Sequence, residues 1–197
     1  MRVSFFDDDE KVAQGLSILK KWSDPYEAIC FDLEFVSLAL PNPPELCLIQ
    51  VAKASLHGEV FLFDAITASN VLTVGPQGGS LGELLSNSTI TKVFHDVRRD
   101  CKALQGRHVS FGSNSVFDTQ VAHEILRGRK MSGLDYVLKD WLGVELEMKE
   151  MGKKMHMRQP KIWRKRPLSS KLLNYAAEDV THLPALYERM LAEAKRK

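Results

Sequence analysis

Residues 28–35 are apolar except for Asp32 and Glu34, the composition of a central strand covered on both faces. Successive strand side chains alternate between faces, so the two carboxylates fall on one side, about 6 to 7 Å apart. Two anions placed that way need a partner. One reading is a helix cap or a buried arginine for one acid and solvent for the other. The second is a divalent cation held by carboxylate oxygens. Upstream, Val12, Ala13, Leu16, Leu19 and Trp22 follow a helical period and predict a helix over residues 12–22, stopped by Ser23, Asp24 and Pro25. Downstream, Pro41, Pro43 and Pro44 mark a loop. Residues 46–52 and 58–63 read as two further strands. Their short connections predict an antiparallel meander of three strands.

The glycine-rich stretch 74–80 reads as a surface loop. It lacks the Gly-Lys-Ser/Thr ending of a phosphate loop and is given no nucleotide role. Residues 81–85 predict a short helix, 91–95 a fourth strand, 96–104 a helix carrying Asp100, and 116–117 a short fifth strand. Asp118 is placed to cap a helix over 119–126. Gly143 ends another over 132–141. After a basic segment, Ser169 starts a last helical stretch that Pro184 is expected to kink. The pattern is that of an α/β domain: a mixed five-stranded sheet with a three-strand meander, flanked by helices. Residues 1–197 are expected to form a single domain with its core at about 25–192, without internal repeats.

Composition narrows the class. With 197 residues, 44% hydrophobic content and a net charge of +2, the chain can bury a substantial core. No apolar run approaches the roughly 20 residues of a membrane span. The start, with Asp7, Asp8, Asp9 and Glu10, has neither the basic beginning nor the apolar middle of a signal peptide. An intracellular protein without membrane contact is expected, its compartment unspecified. Cys30, Cys47 and Cys101 show no metal-ligand spacing and are expected to be buried as small hydrophobes.

Tyr175 and Asp179 lie four apart, one turn from each other on one helix face. In isolation each also reads as an ordinary helix residue. Six pieces of sequence then occur in a telling order: Phe31-Asp32-Leu33-Glu34-Phe35; Leu48-Ile49-Gln50-Val51; Lys92-Val93-Phe94-His95 with Asp100 five beyond; Phe117-Asp118-Thr119-Gln120; Trp163 ahead of Arg166-Pro167-Leu168; and Tyr175 with Asp179. In this the chain resembles the ribonuclease D-like 3′-to-5′ exonucleases, in the subgroup with four acids and a catalytic tyrosine called DEDDy.

The resemblance implies a ribonuclease H-like fold and hydrolysis of single-stranded nucleic acid, RNA favoured over DNA, from a free 3′ end to nucleoside 5′-monophosphates. It further implies that Asp32, Glu34 and Asp179 hold one Mg²⁺ or Mn²⁺ ion, that Asp32 bridges to a second supported by Asp100, and that Tyr175 orients or deprotonates the attacking water. Elementary chemistry agrees. An all-oxygen ligand set suits hard cations, paired ions can flank a scissile phosphate, and a phenol with an ordinary pKa near 10 is better suited to orienting water than to deprotonating it. His95 reads as a structural imidazole at a strand end, and Asp118 as a cap.

Between residues 149 and 166 eight cations stand against one acid, Glu150. Lys161, Arg164, Lys165 and Arg166 are candidates for phosphate contact, with Trp163 either stacking on a base or anchoring the segment to the core. This stretch, and His95-Asp96 followed by Arg98-Arg99-Asp100, look closest to the Egalitarian and exonuclease-domain-containing branch. There, unlike bacterial ribonuclease D, no helical accessory domains are expected to follow. Some members of that branch act as RNA-binding adaptors, which is the alternative to an enzyme.

Overall fold

The computed structural model describes residues 2–21, 28–38, 42–54, 58–68, 71–73, 80–105, 107, 109–148, 152, 154, 159 and 161–197. Most of the glycine-rich loop, the stop after the first helix, Trp22, and part of the basic segment, with Lys149, Lys153 and Arg158, lie outside these residues.

The strand carrying both acids, β2 (Ile29–Val36), is central. It pairs antiparallel with β3 (Glu45–Ala52), which pairs antiparallel with β4 (Glu59–Asp64). This is the expected meander. On its other side β2 pairs in parallel with β5 (Lys92–Phe94), and β5 with β6 (Val116–Asp118). The sheet has six strands rather than five, in the order β1-β4-β3-β2-β5-β6. The additional edge strand, β1 (Arg2–Phe6), runs parallel to β4. Its signal is weak because it is short and only Phe6 is fully buried, stacked on Phe63 at 4.9 Å. The acidic run after it starts α1 (Asp9–Lys21): Asp8 accepts from the Lys11 N–H at 2.8 Å, and Asp9 and Glu10 occupy the first turn, where anions suit the helix dipole.

Period two sends odd-numbered β2 residues to one face and even-numbered ones to the other. Phe31 and Leu33 join Phe61, Phe63, Phe94 and the apolar stripes of α1, α2 (Leu81–Ser86) and α3 (Val97–Gln105). Cys30 and Val36 face the second layer, built from α5 (Leu134–Leu142), α6 (Ser170–Thr181) and α7 (Leu183–Ala194). Asp32 and Glu34 share this second face. The expected kink at Pro184 is a break instead: α6 ends at Thr181, and Pro184 sits in the first turn of α7, where it has no helical hydrogen bond to lose. The expectation for the cysteines also needs correction. Cys30 and Cys47 are buried, but Cys101 is exposed, because α3 turns Asp100, Ala103 and Leu104 inward instead.

One ion pair ties the segment before α6 to the sheet. Glu34 lies opposite Leu48 and Phe35 opposite Leu46, so Cys47 is an extra residue in β3, a bulge of the kind often found beside active sites. The Arg166 guanidinium donates to the Cys47 carbonyl at 2.9 Å, to the Trp163 carbonyl at 2.7 Å, and through Nε and Nη2 to both oxygens of Asp64. Burial pushes Asp64 up, but the Arg166 guanidinium and the N–H groups of Ile66 and Thr67 outweigh it and hold the carboxyl below its ordinary value. Such a group adds stability above its unfolded pKa, near 4, and that contribution is lost as pH falls through the lower folded value. Asp64→Ala, which strands the arginine, is expected to cost about 3–5 kcal/mol at neutral pH in urea melts. The difference from wild type should shrink below about pH 4.

Candidate active site

Asp32 and Glu34 project from β2 toward α6, which reaches them because Ala176 and Ala177 let it lie close to the sheet. Ser169 caps α6, accepting from the Leu172 N–H at 3.4 Å. One carboxylate oxygen from each of Asp32, Glu34 and Asp179 lies within 4.8 Å of the others. Asp32 also accepts from the Gln50 amide across the β2–β3 ladder at 3.3 Å. Asp100, in the first turn of α3, is buried and lines the same cavity, as do Tyr175 and Asp179. The cavity holds about 530 Å³ and is open to solvent, with Phe35, His95, Arg99 and Gln120 among its walls.

The electrostatics follow from crowding acids into a half-dry space. Burial, then the neighbouring Asp32 charge, pushes Asp100 up to about 9. Tyr175 is raised well above its ordinary value by burial first, then by the charges of Asp179, Glu34 and Asp32, with a hydrogen bond to Asp179 acting in the same direction. The phenol therefore stays protonated at neutral pH. Three converging carboxylates plus a buried fourth form an all-oxygen donor set that fits hard divalent cations.

The walls are held by a second network. Asp118 caps two helices at once: it accepts from Gln120 and Val121 at the start of α4 (Thr119–Arg127) and from Asp96 and Val97 at the start of α3. It therefore fixes the turn that delivers Asp100, a turn in which Asp96 takes a φ of 61°. His95 joins Thr119 Oγ1 at 2.9 Å and the Ser132 carbonyl at 3.0 Å, and Gln120 donates to that same carbonyl at 3.1 Å. His95 thus ties β5 to α4 and to the loop before α5.

Tyr175 is packed on its flanks. Trp163 lies 6.1 Å from its ring, tilted by 32°. On another side is the backbone of Gly152, where a Cβ would fall 2.0 Å from Tyr175 Cε2; only glycine permits that approach. Glu178 on α6 accepts from the N–H groups of Glu147 and Met148, fixing those two residues against the helix.

The structure decides between the two readings of Trp163 and departs from expectation at Arg166. Trp163 is fully buried, so it anchors the segment and is not exposed for base stacking. Arg166 is committed to Asp64 and three carbonyls, drawn inward by the buried Asp64 carboxylate. Arg164 remains exposed, paired with Glu45 at 2.8 Å. Lys165 is exposed and bonded to Gln159, and Lys161 is exposed. Sequence reasoning assigned no role to Gln50, Arg99 or Gly152. Gln50 did carry a signal, as the one polar residue inside the apolar run of β3; the other two depend on packing.

A family profile described as 3′-5′ exonuclease matches residues 3–195. Ribonuclease D of Granulibacter bethesdensis is 32% identical over 149 residues, which cover 75% of this chain and 33% of that protein. Exosome complex component 10 of Rattus norvegicus is 32% identical over 147 residues, 75% of this chain and 14% of that protein. The chain thus spans about a third or less of the length of these relatives. Among solved structures, Trypanosoma brucei RNase D in complex with GMP superposes with a TM-score of 0.79 at 28% identity, over 96% of this chain and 57% of that one. The same protein in complex with RNA U12 gives 0.77 at 29% identity, over 96% and 62%. Escherichia coli RNase D, at 22% identity and a TM-score of 0.78 over 100% of this chain and 46% of that one, shares the fold. With its ribonuclease H-like sheet and with nearly its whole length matched, the chain belongs to the 3′-5′ exonuclease family.

Proposed function

We propose that this chain is a divalent-metal-dependent exonuclease that releases nucleoside 5′-monophosphates from the free 3′ end of single-stranded RNA. The observation that carries this reading is the meeting of Asp32, Glu34 and Asp179 in an open cavity that also holds Asp100 and Tyr175. The RNA preference is supported by the ribonuclease D relatives, one of them solved with RNA. The single sheet covered on both faces supports one exonuclease unit over residues 1–197.

Asp32, Glu34 and Asp179 would hold one Mg²⁺ or Mn²⁺, and Asp32 with Asp100 a second. The bound ions supply Lewis-acid activation of water and charge stabilisation for the leaving 3′ oxygen. The residues do the rest. Gln50 restrains the Asp32 carboxylate, and α6 holds Asp179 in register with Tyr175. The Tyr175 hydroxyl, kept protonated and directed by Asp179, orients the attacking water through its oxygen lone pairs. Trp163 and Gly152 restrict the ring that carries it.

The test is cleavage of a 5′-labelled single-stranded RNA with Mn²⁺. Wild type should shorten it one nucleotide at a time, and Asp32→Asn or Asp179→Asn should lose about a thousandfold or more while keeping their folded spectra. Tight binding of RNA by wild type without shortening would overturn the hydrolytic reading in favour of an adaptor. Tyr175→Phe should lower kcat by about a hundredfold with KM little changed. Mn²⁺ should raise the Tm of wild type but not of Asp32→Asn, since only a protein that binds the ion is stabilised by it.

Asp100 gives a pH prediction for the metal-free protein. Its folded pKa, about 9, lies above the unfolded value near 4. The folded state therefore binds the extra proton between those limits, and stability falls as pH rises from about 4 through about 9. Asp100→Asn should flatten that decline in urea melts at a series of pH values. An equally steep decline in the variant would assign it to other groups.

A further inference from the structure

Both ring nitrogens of His95 are engaged, and the partners fix what each nitrogen carries. Nε2 lies 3.0 Å from the Ser132 carbonyl oxygen, which only accepts, so Nε2 must carry a hydrogen. Nδ1 lies 2.9 Å from Thr119 Oγ1. That hydroxyl has one hydrogen and gives it to the Phe94 carbonyl at 3.0 Å, leaving only lone pairs for the ring. Nδ1 therefore donates as well. A neutral imidazole has one N–H; two make the imidazolium. Losing either proton breaks the set: a bare Nε2 turns a lone pair on the Ser132 carbonyl, and a bare Nδ1 draws the Thr119 hydrogen away from Phe94. Thr119 and Phe94 are both fully buried, where a lost bond is not regained from solvent. His123 shows the opposite arithmetic. The Trp141 Nε1–H donates to its Nδ1 at 2.9 Å, so that nitrogen is bare and the fully buried ring is neutral.

We propose that His95 is a positioning residue held as an imidazolium at neutral pH, and that its second proton clasps the cavity wall formed by Gly133, Leu134 and Asp135. These three residues line the active-site cavity and follow directly on Ser132. α5 starts after Gly133 without a side-chain cap, and the bonds from His95 and Gln120 to the Ser132 carbonyl tie its entry to β5 and α4. The surroundings favour the charge. Asp96 is the next residue, Asp118 caps both flanking helices, and Asp135 shares the cavity with the four acids. Of the cations nearby, Arg98 is paired with Asp96, and Arg99 stands over Phe35. Arg129 and Lys130, in the loop leading to Ser132, are turned to the Tyr136 ring and to Glu124. The charge follows from counting hydrogens, whereas its effect on turnover rests on the exonuclease reading.

The test is nitrogen NMR of the histidine rings in the metal-free full chain. At pH 7, where an ordinary histidine titrating near 6.5 is mostly neutral, both His95 nitrogens should be protonated, while His123 should show one bare nitrogen. A bare nitrogen on His95 at that pH overturns the proposal, whatever the chain does to RNA. Thr119→Val removes the acceptor at Nδ1 with little change of shape and should weaken proton binding by His95 about tenfold. Unchanged titration in that variant overturns the role given to Thr119. The clasp is read in the same samples: the amide signals of Gly133 and Asp135 should move as His95 loses its proton, and signals that stay in place overturn it. In the cleavage assay with Mn²⁺, KM should rise about severalfold over the same pH interval with kcat less affected, and the rise should come at lower pH in Thr119→Val. A KM indifferent to that interval in both proteins overturns the effect on turnover. Absence of any cleavage sinks the exonuclease reading alone, since the ring and amide signals still decide the charge and the clasp.

Discussion

Like charges crowded into a partly dry cavity set the terms for the rest of this protein. Two carboxylates at about 4 Å repel by about 4 kcal/mol at an effective dielectric of 20, and three of the four acids here approach within 4.8 Å. Asp100 and Tyr175 respond by holding their protons. The site is thus assembled against its own electrostatics, and its geometry must be imposed by packing elsewhere. Two layers supply that packing. One locks β2 through Phe31 and Leu33, and the other presses α6 onto the sheet through Ala176, Ala177 and Val180.

Polar interactions away from the cavity complete the scaffold. The Arg166–Asp64 pair sits over the bulge at Cys47, opposite the β2 segment that carries Glu34, and ties Trp163 beneath the Tyr175 ring. A buried pair of this kind is a weak source of net stability, because desolvation consumes much of the attraction, yet losing either partner is costly. Its effect is positional. Asp118 has a similar role for Asp100, since one carboxylate satisfies the first N–H groups of two helices and so sets their mutual position.

The cavity wall carries both acids and a cation. The four acids line the cavity, and Arg99, also in its wall, stands over the Phe35 ring. The basic segment known from sequence contributes less to that surface than its charge suggests, because Arg166 is spent internally and Arg164 is shared with Glu45.

What the sequence determined by itself is what covalent spacing and local periodicity fix. Period two put Asp32 and Glu34 on one face of a strand, four-residue spacing put Tyr175 and Asp179 on one face of a helix, and Ser169 and Asp118 marked helix starts through side chains that cap their own following turns. The meander was readable for the same reason, since its connections are short. What only the tertiary structure decided depends on residues far apart in the chain. Arg166 reads as a surface cation until Asp64, 102 positions away, draws it inward. β1 has too few buried residues to announce itself and becomes a strand only because β4 offers an open edge. Asp100 reaches the other acids because β5 pairs beside β2 and a second helix shares the cap at Asp118. Each of these rests on a partner whose position the intervening chain leaves free, so only the closed core could choose it.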